Sequence, residues 1–317
     1  MTAPNGLGQP ALDIDRPDRD DILHWSVTSI IGVLDKPALL YWAAEQAAIA
    51  AVGSQATWKG MLADCPTSCT HDSAGCAAVK WLRDARFRRP KTTLSSADLG
   101  STVHALAESY ALDGVRPDRD RVETEIRTRG GATVDVDHEA AVVGRMLDRF
   151  DGWLQRATPD YQATEVAVYH PKYRYAGTAD AFFSVGGVRF VGDYKTSREP
   201  WDSQGNPKRP YPEVALQLAA YRHAELAAVW RPRRTEKFRR RYYALSPAER
   251  EMAVPVPEVD AGLVIHITPE ACEAYPVRCD ADIHRSFLYV LEAARWSLET
   301  SKRAVGDPLE YPERSLL

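Results

Sequence analysis

The sequence predicts a mixed α/β protein: a central mixed sheet flanked by helices, preceded by a helical elaboration at the N-terminal side. Three observations carry this. Strand-like runs cluster between residues 164 and 195, helical periodicity lies on both sides of them, and short strand runs return at 240–244 and 263–268 before a last helix. The 317 residues are 44% hydrophobic and 26% charged, enough apolar material for a substantial core.

Residues 1 to 24 are Pro-, Gly- and Asp-rich and read as a mobile tail. Residues 25–94 form a helical region: Ser26–Leu34 and Pro37–Val52 look helical, the second opening on a Pro suited to a first turn, and Cys65–Gly75 is a loop full of breakers. Residues 95–305 form the core. Its first helix runs from Ser95 or Ser96 to Leu112, with Ser95 and Asp98 spaced as a capping box and His104 and Glu108 on one face. Asp137–Gln155 repeats Val142, Met146, Phe150 and Leu154 at helical spacing. Thr164–His170, Tyr175–Val185 and Val188–Lys195 are strands, and residues 196–212 a polar loop. Glu213–Val229 reads as an amphipathic helix, Arg240–Ala244 and Leu263–Thr268 as strands, Ile283–Ser301 as the final helix and 306–317 as a tail.

Forty Lys and Arg against 44 Asp and Glu give a net charge of −4, which argues against coating nucleic acid by bulk charge; any such contact must be local. The longest Ala-rich stretch, Ala38–Val52, carries Glu45 and Gln46 and is too short for about 30 Å of hydrocarbon, so no membrane partner is expected. No basic region followed by an apolar core opens the chain, and five cysteines, an odd number, suit a disulfide framework poorly. A cytoplasmic location is expected, host cytoplasm if the chain is phage-encoded.

Val185-Gly186-Gly187-Val188 is a two-residue turn signal between apolar runs. Pairing Val185 with Val188 sets Asp180 opposite Asp193 and Thr178 opposite Lys195. Asp180, Asp193 and Lys195 then share one face, with Phe183 and Phe190 on the other. Two carboxylates about 5 Å apart at their β-carbons repel unless something positive lies between them. A divalent cation, Mg2+ or Mn2+ for oxygen ligands, is one answer; a solvated salt bridge to Lys195 is the other.

Gly177-Thr178-Ala179-Asp180, Asp193-Tyr194-Lys195-Thr196-Ser197 and Gln217-Leu218-Ala219-Ala220-Tyr221 follow one another, with His104 upstream in Gly100-Ser101-Thr102-Val103-His104. This order resembles the PD-(D/E)XK nuclease superfamily, specifically its RecB-like exonuclease branch and the related CRISPR-associated exonucleases. The resemblance spans His104 to Tyr221 and implies a restriction-endonuclease-like sheet. It implies Asp180, Asp193, His104 and the Tyr194 backbone carbonyl as metal ligands and Lys195 as the group that positions water and stabilises the transition state. It also implies that Gln217 and Tyr221 contact the DNA strand or support the metal site. Glu165, on the preceding strand, is a weaker candidate. No serine-hydrolase elbow, H-E-x-x-H or P-loop motif competes.

Arg231 to Arg241 holds Arg231, Arg233, Arg234, Lys237, Arg239, Arg240 and Arg241 against Glu236, a concentrated patch suited to phosphate contact or a solvated linker. Some relatives hold a [4Fe-4S] cluster with one upstream and three downstream cysteines. Here Cys65, Cys69 and Cys76 precede the core and Cys272 and Cys279 follow it, so that split is reversed. Cys65, Cys69, His71 and Cys76 could alternatively hold Zn2+, or all five thiols could be free. The resulting expectation is a metal-dependent DNA exonuclease of recombination, repair or end processing, with DNA and a helicase or recombination protein as partners. The alternatives are a structure-specific endonuclease on the same fold and a non-catalytic DNA-end binding module.

Overall fold

The computed structural model describes residues 22–34, 37–71, 75–87, 92–202, 204–228, 233–234 and 242–308. In chain order the elements begin with β1 (Ile22–Ser26), α1 (Val27–Ile31), α2 (Pro37–Gly53), α3 (Gln55–Ala63), α4 (Ala77–Arg83), α5 (Ser96–Asp113), α6 (Arg119–Gly130) and α7 (Val136–Ala157). They continue with β2 (Asp160–His170), β3 (Tyr175–Val185), β4 (Val188–Thr196), α8 (Val214–Arg222), β5 (Leu226–Ala228), β6 (Arg233–Arg234) and β7 (Tyr242–Leu245). The last are α9 (Pro247–Glu251), β8 (Val254–Pro255), β9 (Ala261–Ile267), β10 (Cys272–Val277) and α10 (Ala281–Leu298).

The chain forms two compact units, each drawn from several segments. One takes Met1–Leu34, Val103–Pro117 and Arg145–Leu317, the other Asp35–Thr102 and Asp118–Gly144. The first unit holds a mixed sheet of ten strands among the described residues, in the order β10-β9-β4-β3-β1-β7-β6, with β2 on β3 and β5 and β8 beyond it. The expected α/β architecture is therefore observed. Helices cover both faces. On one, Phe182, Val191 and Val264 pack with Leu218 and Tyr221 of α8, Phe287 and Leu291 of α10 and Ile30 of α1. On the other, Phe183 meets Phe190, Tyr161 and Trp153 of α7, and Phe150 stacks on Trp153.

The β3–β4 hairpin follows the expected register as far as Ala181↔Gly192; the expected pairs Asp180 with Asp193 and Thr178 with Lys195 lie beyond the end of the ladder. Gly186 and Gly187 adopt φ of 56° and 83°, as a turn with two left-handed central residues requires, and the ladder runs from Val185↔Val188 to Ala181↔Gly192. The cap expected on α5 is present, with the Asp98 amide donating to Ser95 Oγ at 3.0 Å.

Several expectations are corrected. Residues 22–24, expected in a tail, and Ser26, expected to open a helix, form β1, which pairs antiparallel with β7 and parallel with β3. Sheet partners that supply a full ladder outweigh weak local preference. The helix expected over Glu213–Val229 ends at Arg222; the apolar Leu226–Ala228 pairs with β2 instead, a short run whose composition suits either state. The helices α3, α4 and α6 and the strand β10 were not anticipated.

The second unit is helical. Asp118 caps α6 by accepting from the Arg121 amide at 2.9 Å, and Val122 and Ile126 give that helix its buried face. No helix among the described residues is long and apolar enough to cross a membrane.

Candidate active site

The site lies in the first unit, where two neighbours of β3 part company. β2 follows one edge of β3 from Tyr175 to Ser184. The other edge pairs with β1 at Tyr175 and Ala176, and with β4 only from Ala181 onward. Gly177-Thr178-Ala179-Asp180 is thus left without ladder partners on that edge. β4 stays held on its far side, pairing in parallel with β9 from Phe190↔Ala261 to Thr196↔Ile267. The sheet opens into a wedge between β1 and β4, and a cleft of about 240 Å³ fills it, lined among others by Asp180, Asp193, Lys195, His104, Gln217 and Glu165.

Beyond Gly192 the hairpin is joined by a side chain: the Tyr194 amide donates to Asp180 Oδ2 at 2.8 Å. The Tyr194 ring turns to the opposite face, where it meets Phe150 and His104 edge-on and its hydroxyl lies 2.7 Å from that of Tyr161. His104 thus packs edge-on against Tyr194, and its Nδ1 stands 3.8 Å from Asp180 Oδ2.

Asp193 is 1% exposed. Its Oδ1 accepts from Gln217 Nε2 at 2.8 Å, while Oδ2 faces Lys195 Nζ at 2.5 Å without hydrogen-bond geometry and is otherwise a buried acceptor with no donor. Burial and the Asp193 carboxylate push Asp180 well above the usual carboxylate range, against the pull of Lys195 and the Tyr194 amide. Burial likewise lowers His104, against the pull of Asp193, and so favours the uncharged imidazole that can act as a ligand.

These observations test whether the residues suit a divalent cation. Two carboxylates, buried Asp193 with Lys195 against its Oδ2 and Asp180 pushed toward protonation, and an imidazole nitrogen 3.8 Å from Asp180 Oδ2 bring oxygen and nitrogen donors to one cleft, where a divalent cation would offset the repulsion between the two carboxylates. The donor set fits.

The sequence profile of the PD-(D/E)XK nuclease superfamily matches residues 74–297. The chain belongs to the PD-(D/E)XK nuclease superfamily. Members use divalent metals, in keeping with this donor set. No curated protein matches the chain. A solved structure described as "Crystal structure of SSO0001" is 14% identical over 65% of this chain and 77% of that one, with a TM-score of 0.26, a likeness too slight to argue from.

For a PD-(D/E)XK chain the placement of the candidate residues is informative. His104, Asp180, Asp193, Lys195, Gln217 and Tyr221 all border the cleft. Tyr221 is 1% exposed, and its ring fills the space left by Gly177, where a Cβ would come within 2.5 Å of Cε1. Glu165 also borders the cleft; it holds a left-handed φ of 50° inside β2, and its charge adds to the upward pressure on Asp180. Ser26 of β1, Thr28 of the α1 that follows it and Tyr243 of β7 join the lining with no signal in the sequence, since β1 and β7 are brought there by sheet pairing.

Of the basic run, Arg233 and Arg234 form β6, paired with Ala244 and Tyr243; Arg231, Lys237, Arg239, Arg240 and Arg241 lie outside the described residues. The cysteines divide between the units. Cys65, Cys69 and Cys76 gather with His71 in the second. Cys272 sits on β10 in the first, and Cys279 is buried in the core there with Arg222 Nη1 donating to its sulfur at 3.7 Å.

Proposed function

We propose that this chain is a divalent-metal-dependent deoxyribonuclease of the RecB-like branch that hydrolyses phosphodiester bonds from a DNA end. The observation that carries this reading is the wedge at Asp180 and Asp193, where two carboxylates, an imidazole and an ammonium converge on one cleft. Asp180, Asp193, His104 and the Tyr194 carbonyl would hold Mg2+ or Mn2+, which supplies an acidified water and offsets charge on the reacting phosphate. Gln217 fixes the rotamer of Asp193 through Oδ1, so that Oδ2, which faces Lys195 here, is the oxygen a bound cation would share with that ammonium. Lys195 is 40% exposed, so its ammonium can reach from Asp193 to a phosphate oxygen or an attacking water in the cleft.

The basic run supports DNA as the substrate. Arg234 pairs with Tyr243, a residue that lines the cleft, so the two described residues of the run continue the sheet next to the strand that reaches the site. A place in recombination, repair or end processing with a helicase or recombination partner, and a phage or CRISPR-associated setting, belong to the same reading, as does a cytoplasmic location.

The test is cleavage of linear, circular and single-stranded DNA with Mg2+, Mn2+ or EDTA. Metal-dependent loss of linear DNA with circles intact is expected. Cleavage of circles would make the enzyme an endonuclease, and binding without cleavage would make it an end-binding module.

A further inference from the structure

We propose that Cys65, Cys69, His71 and Cys76 form a mononuclear Zn2+ site that clips the segment between α3 and α4. One ligand atom from each residue lies within 4.8 Å of all the others, the only such group of three or more His, Cys, Asp or Glu among the described residues. Cys65 Sγ is 4.0 Å from Cys76 Sγ, and Cys76 Sγ is 3.7 Å from His71 Nδ1. A tetrahedral zinc with sulfur at about 2.3 Å and nitrogen at about 2.0 Å sets these edges at about 3.8 and 3.5 Å. The thiols are not joined as disulfides.

The distances separate one ion from a cluster. A [4Fe-4S] cluster places its ligands on different irons, with sulfurs on the order of 6 Å apart. Here the four donors surround a single point. Three thiolates and an imidazole are a donor set for zinc and a poor one for Mg2+. Four protein ligands close the coordination shell, so the site is structural.

The surrounding chain needs such a tie. Cys65 follows α3, Cys76 precedes α4, and Pro66, Thr67, Ser68 and Thr70 between them offer no large apolar side chain to anchor the turn. Cys76 is buried, Cys69 is half-buried and His71 is exposed at a left-handed φ of 53°, its amide donating to Cys69 Sγ at 3.4 Å. Binding exchanges three thiol protons for one cation, and the protons pass to solvent.

The test is elemental analysis of the full chain, purified anaerobically in chelator-free buffer, together with Co2+ substitution. One zinc per chain is expected, with the charge-transfer bands of tetrahedral thiolate–cobalt in the substituted protein. Zinc should be lost in Cys65→Ser/Cys76→Ser and kept in Cys272→Ser, Cys279→Ser and His71→Cys. No zinc and no thiolate–cobalt bands in the folded wild-type chain would overturn the proposal, as would iron with labile sulfide, or zinc surviving Cys65→Ser/Cys76→Ser. Because the wild-type cobalt spectrum stands by itself, misfolding of a serine variant leaves the proposal open to refutation.

Discussion

Gln217 Nε2 donates to Asp193 Oδ1 at 2.8 Å and lies 3.2 Å from the Tyr221 hydroxyl oxygen, one turn along α8. Tyr221 in turn packs against Gly177 on β3. A single helical face therefore links the two strands that carry the aspartates, at the point where their own ladder has ended. Position 177 has no side chain because the Tyr221 ring occupies the place of its Cβ.

Gln217→Ala removes a donor from a buried carboxylate, a loss worth about 1–3 kcal/mol. The expected result is a 10- to 100-fold fall in kcat with the fold retained, read by steady-state cleavage and circular dichroism. Gln217→Glu should be worse, because it sets another carboxylate against Asp193. Unchanged kcat in both variants would remove Gln217 from the positioning of Asp193.

His104→Ala should raise the metal concentration needed for half-maximal cleavage while leaving Tm nearly unchanged. The shift should be larger with Mn2+ than with Mg2+, since imidazole favours the former. A lowered Tm with an unaltered metal titration would show that His104 serves packing alone.

Stability should fall on acidification between pH 6.5 and 4. His24 is 1% exposed, donates to the Ile22 carbonyl and packs edge-on against Tyr169. Burial, with Arg174 and Arg250 nearby, lowers its pKa to about 4, and burial beside His223 and His170 lowers His284 likewise to about 4. Below pH 6.5 the unfolded chain protonates these two histidines while the folded chain does not, so the stability they contribute declines until pH 4, where their share of the loss is complete. For His24 the loss is on the order of 3 kcal/mol. Urea midpoints across this range should flatten in His24→Phe; an identical profile would show that other groups carry the acid sensitivity.

Much of the site was legible because hairpin register is a local property. The Gly186-Gly187 turn and the two-residue period placed Asp180, Asp193 and Lys195 on one face, and the observed ladder keeps that register as far as Gly192. The parting of the strands beyond Gly192 was not legible, because it depends on β9 holding β4 and on β1 taking the other end of β3. β1 was hidden for a related reason: its five residues adjoin a polar segment, and their strand state comes from partners over 140 residues away in β3 and over 210 in β7. The cysteine spacing was visible, but which thiols would meet was not, since His71 joins Cys65, Cys69 and Cys76 only through the turn between α3 and α4. Cys272 and Cys279 were candidates by number alone.

The most direct measurement is the single-turnover cleavage rate of end-labelled linear DNA by Asp193→Asn and Lys195→Ala beside the wild-type chain, in Mn2+, with DNA binding measured in parallel. Both changes remove charge at the cleft while the hairpin keeps its packing through Phe182 and Phe183, each no more than 1% exposed. The expected result is loss of cleavage by more than about 100-fold in each variant with the fold and DNA binding retained. Wild-type rates in either would contradict a catalytic site built on Asp193 and Lys195.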